Sequence, residues 1–90
     1  MFTPVYTKQF ARDVKKAKKR GKNLNKFKII AETLLRGEIL DELHRDHKLL
    51  GNYLGRRECH IESDWLLIYK IKEQLMVFER MGSHSGLFGK

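Results

Sequence analysis

The 90-residue sequence has a single cysteine, a single proline and no long apolar segment. One cysteine, Cys59, excludes an internal disulfide and favours a reducing compartment. The apolar runs are far shorter than the roughly 20 residues that a membrane-spanning helix needs, and no charged segment followed by an apolar one opens the sequence as a secretion signal would. We therefore expect a soluble cytoplasmic protein with no membrane association.

The length allows one small hydrophobic core. A chain of this size buries roughly 60 to 65 per cent of its unfolded surface, which is enough for one core and not for two. We expect residues 1–90 to form a single domain.

Acidic residues are scarce in the first third of the sequence. Residues 1–36 hold 11 Lys and Arg against 2 Asp and Glu, whereas residues 37–90 hold 8 against 9, within a formal net charge of +8. A concentrated positive surface on a small protein predicts a polyanionic partner, either nucleic acid or an acidic protein segment. The alternative is a solvated lysine-rich helix with no such partner.

The basic third of the sequence predicts an edge strand and two helices. Pro4 restricts residues 1–6 to the edge or the start of a strand. Thr7 is a suitable N-cap for a helix that reaches about Arg20, and Asn23 or Asn25 begins a second helix. Gly21 and Gly37 end the two helices, which form a hairpin because the segment between them is short.

The remaining sequence predicts a loop followed by three antiparallel strands. Residues 38–55 lack sustained periodicity, and the strands lie at 56–61, 65–71 and from 75 onwards. Apolar residues occupy both alternating sets of the middle strand, which is typical of a strand buried on both faces. We expect an α+β fold, with a small antiparallel sheet in the order β-α-α-β-β-β and the helical hairpin packed on it.

Histidines, acids and arginines cluster in the second half, and three kinds of chemistry could use them. They are His44, His47, His60, His84, Asp46, Asp64, Arg56, Arg57 and Arg80. Metal-free RNA cleavage needs a base, an acid and a cation for the phosphorane, which histidine and arginine supply. The alternatives are a metal site built from His44, His47 and Asp64 with another histidine, and histidines with no catalytic role beside a basic binding surface.

Several spaced blocks carry a family resemblance. They are Asp46-His47, Leu50-Gly51-Asn52-Tyr53, Arg57-Glu58-Cys59-His60-Ile61, Asp64-Trp65-Leu66-Leu67-Ile68-Tyr69 and the segment from Arg80 to Phe88. Together these blocks resemble the YafQ branch of the RelE/ParE toxin superfamily. The resemblance implies a RelE-like fold and a type II toxin that cuts mRNA on the ribosome, without metal or cofactor, and that an acidic antitoxin neutralises by folding on it.

The resemblance also implies roles for individual residues. His47, His60, Asp64 and His84 match acid-base and positioning residues, and Arg80 matches the arginine that stabilises the transition state. Trp65 and Phe88 match the remaining positions of the site, with Phe88 orienting a base of the substrate.

We expect four lysines of the first helix, Lys15, Lys16, Lys18 and Lys19, to hold phosphates of ribosomal RNA. Simpler interpretations stay open for three other residues: Trp65 as a core residue, Asp64 as a turn residue, and Arg80 in a surface ion pair with Glu79 or Glu58. A non-catalytic binding module and a gyrase-directed toxin are the alternative functions.

Overall fold

The structure is a computed structural model that describes residues 1–89. In chain order its elements are β1 (Thr3–Tyr6), α1 (Lys8–Lys19), α2 (Leu24–Leu35), β2 (His47–Lys48), β3 (Arg57–Glu62), β4 (Trp65–Lys72), β5 (Leu75–Gly82) and α3 (His84–Phe88). Short 3-10 turns lie at Glu42–His44 and Gly51–Tyr53.

Both predicted helices form, with the predicted caps. The Thr7 hydroxyl accepts a hydrogen bond from the backbone N–H of Phe10 at 2.9 Å, and the Asn23 side chain accepts one from Asn25 at 3.0 Å. These caps satisfy N–H groups that the first helical turn leaves without partners. Gly21 and Gly37 follow the helices with φ of 78° and 75°, a conformation that glycine adopts without strain.

The α+β class is confirmed, but the sheet is mixed. Its strand order is β1-β5-β4-β3-β2, and β1 runs parallel to β5. The prediction of a wholly antiparallel sheet is therefore wrong at this edge. Short turns force β3, β4 and β5 to alternate in direction, whereas a long connection leaves β1 free to pair in the parallel sense. The predicted loop also contributes β2, which adds two residues to the opposite edge.

The sheet is covered on both faces, and β4 is buried between them as predicted. The two long helices pack Phe10, Ile30 and Leu34 against Tyr69 and Phe78 to form the main core. A smaller cluster on the other face joins Leu66, Ile68 and Leu87, with Leu49 and Tyr53 packed against it. This second face carries most of the predicted site residues.

Among residues 1–89, no helix is both long enough and apolar enough to span a membrane.

Candidate active site

Strand register places three of the predicted catalytic residues, His47, His60 and Arg80, on one face of the sheet. Glu58 of β3 lies opposite Ile68 of β4, which lies opposite Arg80 of β5, and His47 of β2 lies opposite Glu58. Residues that face each other across a sheet point to the same side, as do residues two apart on one strand. His60 therefore shares the face of Glu58.

His84 lies beside His60 and is held by Asp64. The centroids of the two imidazole rings are 5.6 Å apart. The Asp64 carboxylate accepts hydrogen bonds from the backbone N–H of His84 at 2.8 Å and from its Nδ1 at 2.6 Å. These two bonds lower the pKa of Asp64. With Nδ1 occupied by the carboxylate, Nε2 of the half-exposed ring is left to exchange a proton with a substrate.

The buried carboxylate of Glu58 lies between the imidazoles of His47 and His60. The sequence analysis did not place Glu58 in the site. Glu58 is 5 % exposed, and its Oε1 is 3.6 Å from Nε2 of His47 and 3.5 Å from Nε2 of His60. The Nδ1 atoms of both rings face backbone carbonyls, those of Arg45 and Ser63. Both rings are thus oriented from two sides. The spacing of Glu58 and His60, two residues apart on a predicted strand, was the signal that could have found it.

Arg80 forms its ion pair with Asp13 of α1. Nε donates to Oδ2 at 2.8 Å and Nη2 to Oδ1 at 3.3 Å, while the same carboxylate accepts the backbone N–H of Met81 at 3.0 Å. The hydrogen bond to Asp13 raises the pKa of Arg80, against the opposing effect of burial. The alternative pairing with Glu79 or Glu58 is wrong, because Asp13 takes the guanidinium, Glu79 pairs with Arg56 and Lys70, and Glu58 lies against His47 and His60.

Asp13 is 4 % exposed and was not predicted as a functional residue. It lies three residues after Phe10 and four before Ala17, on the apolar side of α1. A single acidic residue on the apolar stripe of a helix is the sequence signal from which a buried ion pair could have been predicted.

Phe88 borders a surface groove next to Arg80. The groove is lined by Asn52, Tyr53, Arg56 and Arg80 among others, and Phe88 is 38 % exposed in it. Its ring stands edge-on to Tyr53, with centroids 5.4 Å apart, and the Tyr53 hydroxyl donates to the carbonyl of Leu87 at 3.3 Å. A partly exposed ring fixed by an aromatic neighbour can contact a nucleotide base.

Trp65 is a core residue. It is 2 % exposed, so its ring is not available for stacking on a base, and the expectation that it binds substrate in this way is not supported. The interpretation of Trp65 as core is the one that the structure favours. Its Nε1 has no hydrogen-bond partner among residues 1–89.

The four predicted lysines, Lys15, Lys16, Lys18 and Lys19, all lie exposed on α1. This is the helix whose Asp13 holds Arg80, so the basic surface and the arginine are connected through one element.

His44 lies against the backbone of β3. Its Nδ1 contacts the backbone carbonyl of His60 at 2.7 Å. Within residues 1–89, the structure shows no group of three His, Cys, Asp or Glu side chains arranged to hold a metal ion.

Comparisons with known proteins agree on one family. The family model described as "Bacterial toxin of type II toxin-antitoxin system, YafQ" matches residues 2–89. The mRNA interferase toxin YafQ of Escherichia coli K12 is 44 % identical over 85 residues, which cover 93 % of this chain and 92 % of that protein.

Solved structures give the same result. The E. coli DinJ–YafQ complex matches with a TM-score of 0.91 and 41 % identity, covering 99 % of this chain and 100 % of that one. A metal-bound toxin from Helicobacter pylori matches with a TM-score of 0.92 and 37 % identity, covering 98 % and 100 %.

The fold, the histidine-rich face and these relatives together define a bacterial toxin of a type II toxin-antitoxin system. Within that class, the chain belongs to the YafQ family.

Proposed function

We propose that this toxin is an endoribonuclease that cuts mRNA on the ribosome by acid-base chemistry without a metal. The observation that carries the proposal is the placement of His84, oriented by Asp64 and 5.6 Å from His60 between ring centroids. Two neighbouring imidazoles are what a reaction with one proton removed and one proton delivered requires. The name of the E. coli relative, an mRNA interferase toxin, agrees with this activity.

In the proposed reaction the 2′-hydroxyl oxygen of the substrate attacks the adjacent phosphorus. One imidazole takes the hydroxyl proton, and the bond from phosphorus to the 5′ oxygen breaks as a second imidazole protonates that oxygen. The products are a 2′,3′-cyclic phosphate and a free 5′-hydroxyl. His84 is the first candidate for direct proton transfer, and Arg80 stabilises the negative charge that develops on the phosphorane.

His47, His60 and Glu58 complete the site. Glu58 orients the two imidazoles, and His60 lies close enough to His84 to act on the same phosphate. Phe88 contacts a base in the adjoining groove.

Ribosome dependence is proposed from the basic surface of α1. Its exposed lysines suit the phosphates of structured RNA, while the histidine face takes the single-stranded message. The antitoxin is proposed to be an acidic segment that folds over the toxin. The DinJ–YafQ complex, a toxin of the same family with its antitoxin, supports a protein partner of this kind.

The decisive experiment incubates the toxin with translating ribosomes and a defined message, with and without a chelator that binds transition metals and spares the Mg²⁺ that ribosomes require, and maps the cut sites. Chelator-resistant cutting that disappears in His84→Ala is the expected result. His44→Gln is the matched control, because glutamine can still donate to the carbonyl of His60. Cutting that stops with chelator would favour a metal-dependent reaction, and binding without cutting would favour a non-catalytic module.

The proposed role of α1 is tested by salt dependence. Neutralising Lys15, Lys16, Lys18 and Lys19 should weaken ribosome binding. It should also reduce the slope of the logarithm of the binding constant against the logarithm of the salt concentration, by roughly 0.7 to 0.9 for each phosphate contact that is lost. Lys72→Gln, at the exposed end of β4, is the control. An unchanged slope in the fourfold variant would contradict the proposed role.

A further inference from the structure

A second cavity lies between α1 and the last residues of β5, on the other side of Arg80 from the groove of Phe88. Its volume is about 200 Å³. Arg80 and Leu87 line both the cavity and the groove, so they form the wall between them. Ser83 and Ser85, which flank His84 in the sequence, also line the cavity. The cavity therefore adjoins the proposed cutting site without being part of it.

The mouth of this cavity is positively charged. Lys16 and Arg20 are exposed there and form no ion pair with any residue from 1 to 89. The charge of Asp13, which also lines the cavity, is balanced by Arg80, and Lys22 is paired with Glu62 at 3.1 Å. Two uncompensated cations beside two serine hydroxyls form a suitable site for a phosphate group.

The floor of the cavity is apolar. Ala17, Met81 and Leu87 supply buried apolar surface, and Trp65 is 2 % exposed beside them. The indole Nε1 is itself buried, so the floor offers packing surface and no hydrogen-bond donor to a ligand.

We propose that this cavity is a nucleotide-binding site that takes the nucleotide next to the one being cut. The phosphate lies between Lys16 and Arg20, and the attached nucleoside packs on the apolar floor. This inference rests on the proposed function for its substrate class, RNA. An acidic side chain of a protein partner would use the cations but not the apolar floor, which is why a nucleotide is favoured.

The fluorescence of Trp65 reports binding in the test, because Trp65 lines the cavity and is the only tryptophan in the sequence. The purified toxin, without ribosomes, is titrated with adenosine 5′-monophosphate while tryptophan fluorescence is recorded, and adenosine serves as the probe that lacks the phosphate. We expect a saturable change with the monophosphate and binding at least about tenfold weaker with adenosine, since a charge-assisted hydrogen bond of this kind is worth about a factor of ten.

Matched variants of α1 locate the site. Lys16→Gln and Arg20→Gln should each weaken binding of the monophosphate by about tenfold. Lys15→Gln and Lys19→Gln lie on the same helix but do not line the cavity, and they should leave the affinity unchanged. Equal effects of all four charge variants would overturn the inference, because they would show a diffuse electrostatic attraction.

His84→Ala separates this inference from the proposed function. It should abolish cutting and retain binding of the monophosphate. If the parent toxin cuts RNA but does not bind the monophosphate, the nucleotide site is overturned and the nuclease function stands. If it binds the monophosphate but never cuts RNA, the nuclease function is overturned and the nucleotide site stands. A glutamate-rich peptide that saturates the fluorescence change at lower concentration than the monophosphate would assign the cavity to a protein partner and overturn the inference.

Discussion

Replacing Asp13 with alanine should destabilise the toxin far more than replacing Glu32, the other acidic residue among its first 36. The Asp13 carboxylate is 4 % exposed, and it holds both Arg80 and the backbone N–H of Met81. Removing one partner of a buried ion pair costs about 3 to 5 kcal/mol. The N–H of buried Met81 would also lose its acceptor, at about 1 to 3 kcal/mol.

These two costs do not add in full, because Arg80 is partly exposed and can regain water. Its side chain is 28 % exposed. We therefore expect Asp13→Ala to lower the free energy of unfolding by about 3 to 5 kcal/mol. The total stability of a domain of this size is about 5 to 13 kcal/mol, so this loss would remove a large part of it.

The measurement is urea unfolding followed by circular dichroism. Glu32→Ala is the matched control: Glu32 is exposed, and its loss should change the stability by less than about 0.5 kcal/mol. A double-mutant cycle with Arg80→Ala should give a coupling of about 1 to 3 kcal/mol. A loss below about 1 kcal/mol for Asp13→Ala, or no coupling with Arg80, would refute the argument that this pair anchors α1 to β5.

Two further substitutions and one labelling experiment test other interactions. Asp64→Asn should lower the cutting rate by about 10- to 100-fold with little change in KM, because a neutral amide oxygen holds Nδ1 of His84 more weakly than a carboxylate does, and single-turnover kinetics would detect it. Since hydrogen bonds from His84 lower the pKa of Asp64 in the folded protein, the contribution of the carboxylate is complete above about pH 4 and is lost only as the pH falls further, so protonation of Asp64 should contribute no change between about pH 5 and 8. Tyr69→Phe removes a 2.7 Å hydrogen bond to Asp46 and should cost about 1 kcal/mol in urea unfolding, whereas no loss would show that water replaces the hydroxyl. Burial raises the pKa of the Cys59 thiol, so iodoacetamide at pH 8 should label the unfolded chain and leave the native one unlabelled; rapid native labelling would contradict the buried position.

Strand periodicity and capping residues were sufficient to predict most of the elements. The Thr7 and Asn23 caps, the break between the strands predicted at 65–71 and from 75 onwards, and the double-faced burial of β4 depend on interactions within a few residues, which the sequence records directly. The parallel pairing of β1 with β5 was missed because it joins residues about 70 positions apart, and no local pattern sets its direction.

The candidate site, too, was predictable from the sequence only in part. The resemblance selected His47, His60, Asp64, Arg80 and His84 by residue type and spacing, and the register of four strands and the start of α3 bring their side chains to one region. Their roles in catalysis stay predictions until the cutting assay is done.

By itself, the sequence determined the class of fold, the concentration of positive charge on the first helix and the family of toxins to which the chain belongs. Only the tertiary structure decided that Asp13 holds Arg80, that Glu58 lies between two imidazoles and that Trp65 is buried beside a basic cavity. The physical reason is that charge and periodicity are local properties of the chain. Ion pairs and cavities instead depend on which distant side chains the sheet and helices bring within a few ångströms of one another.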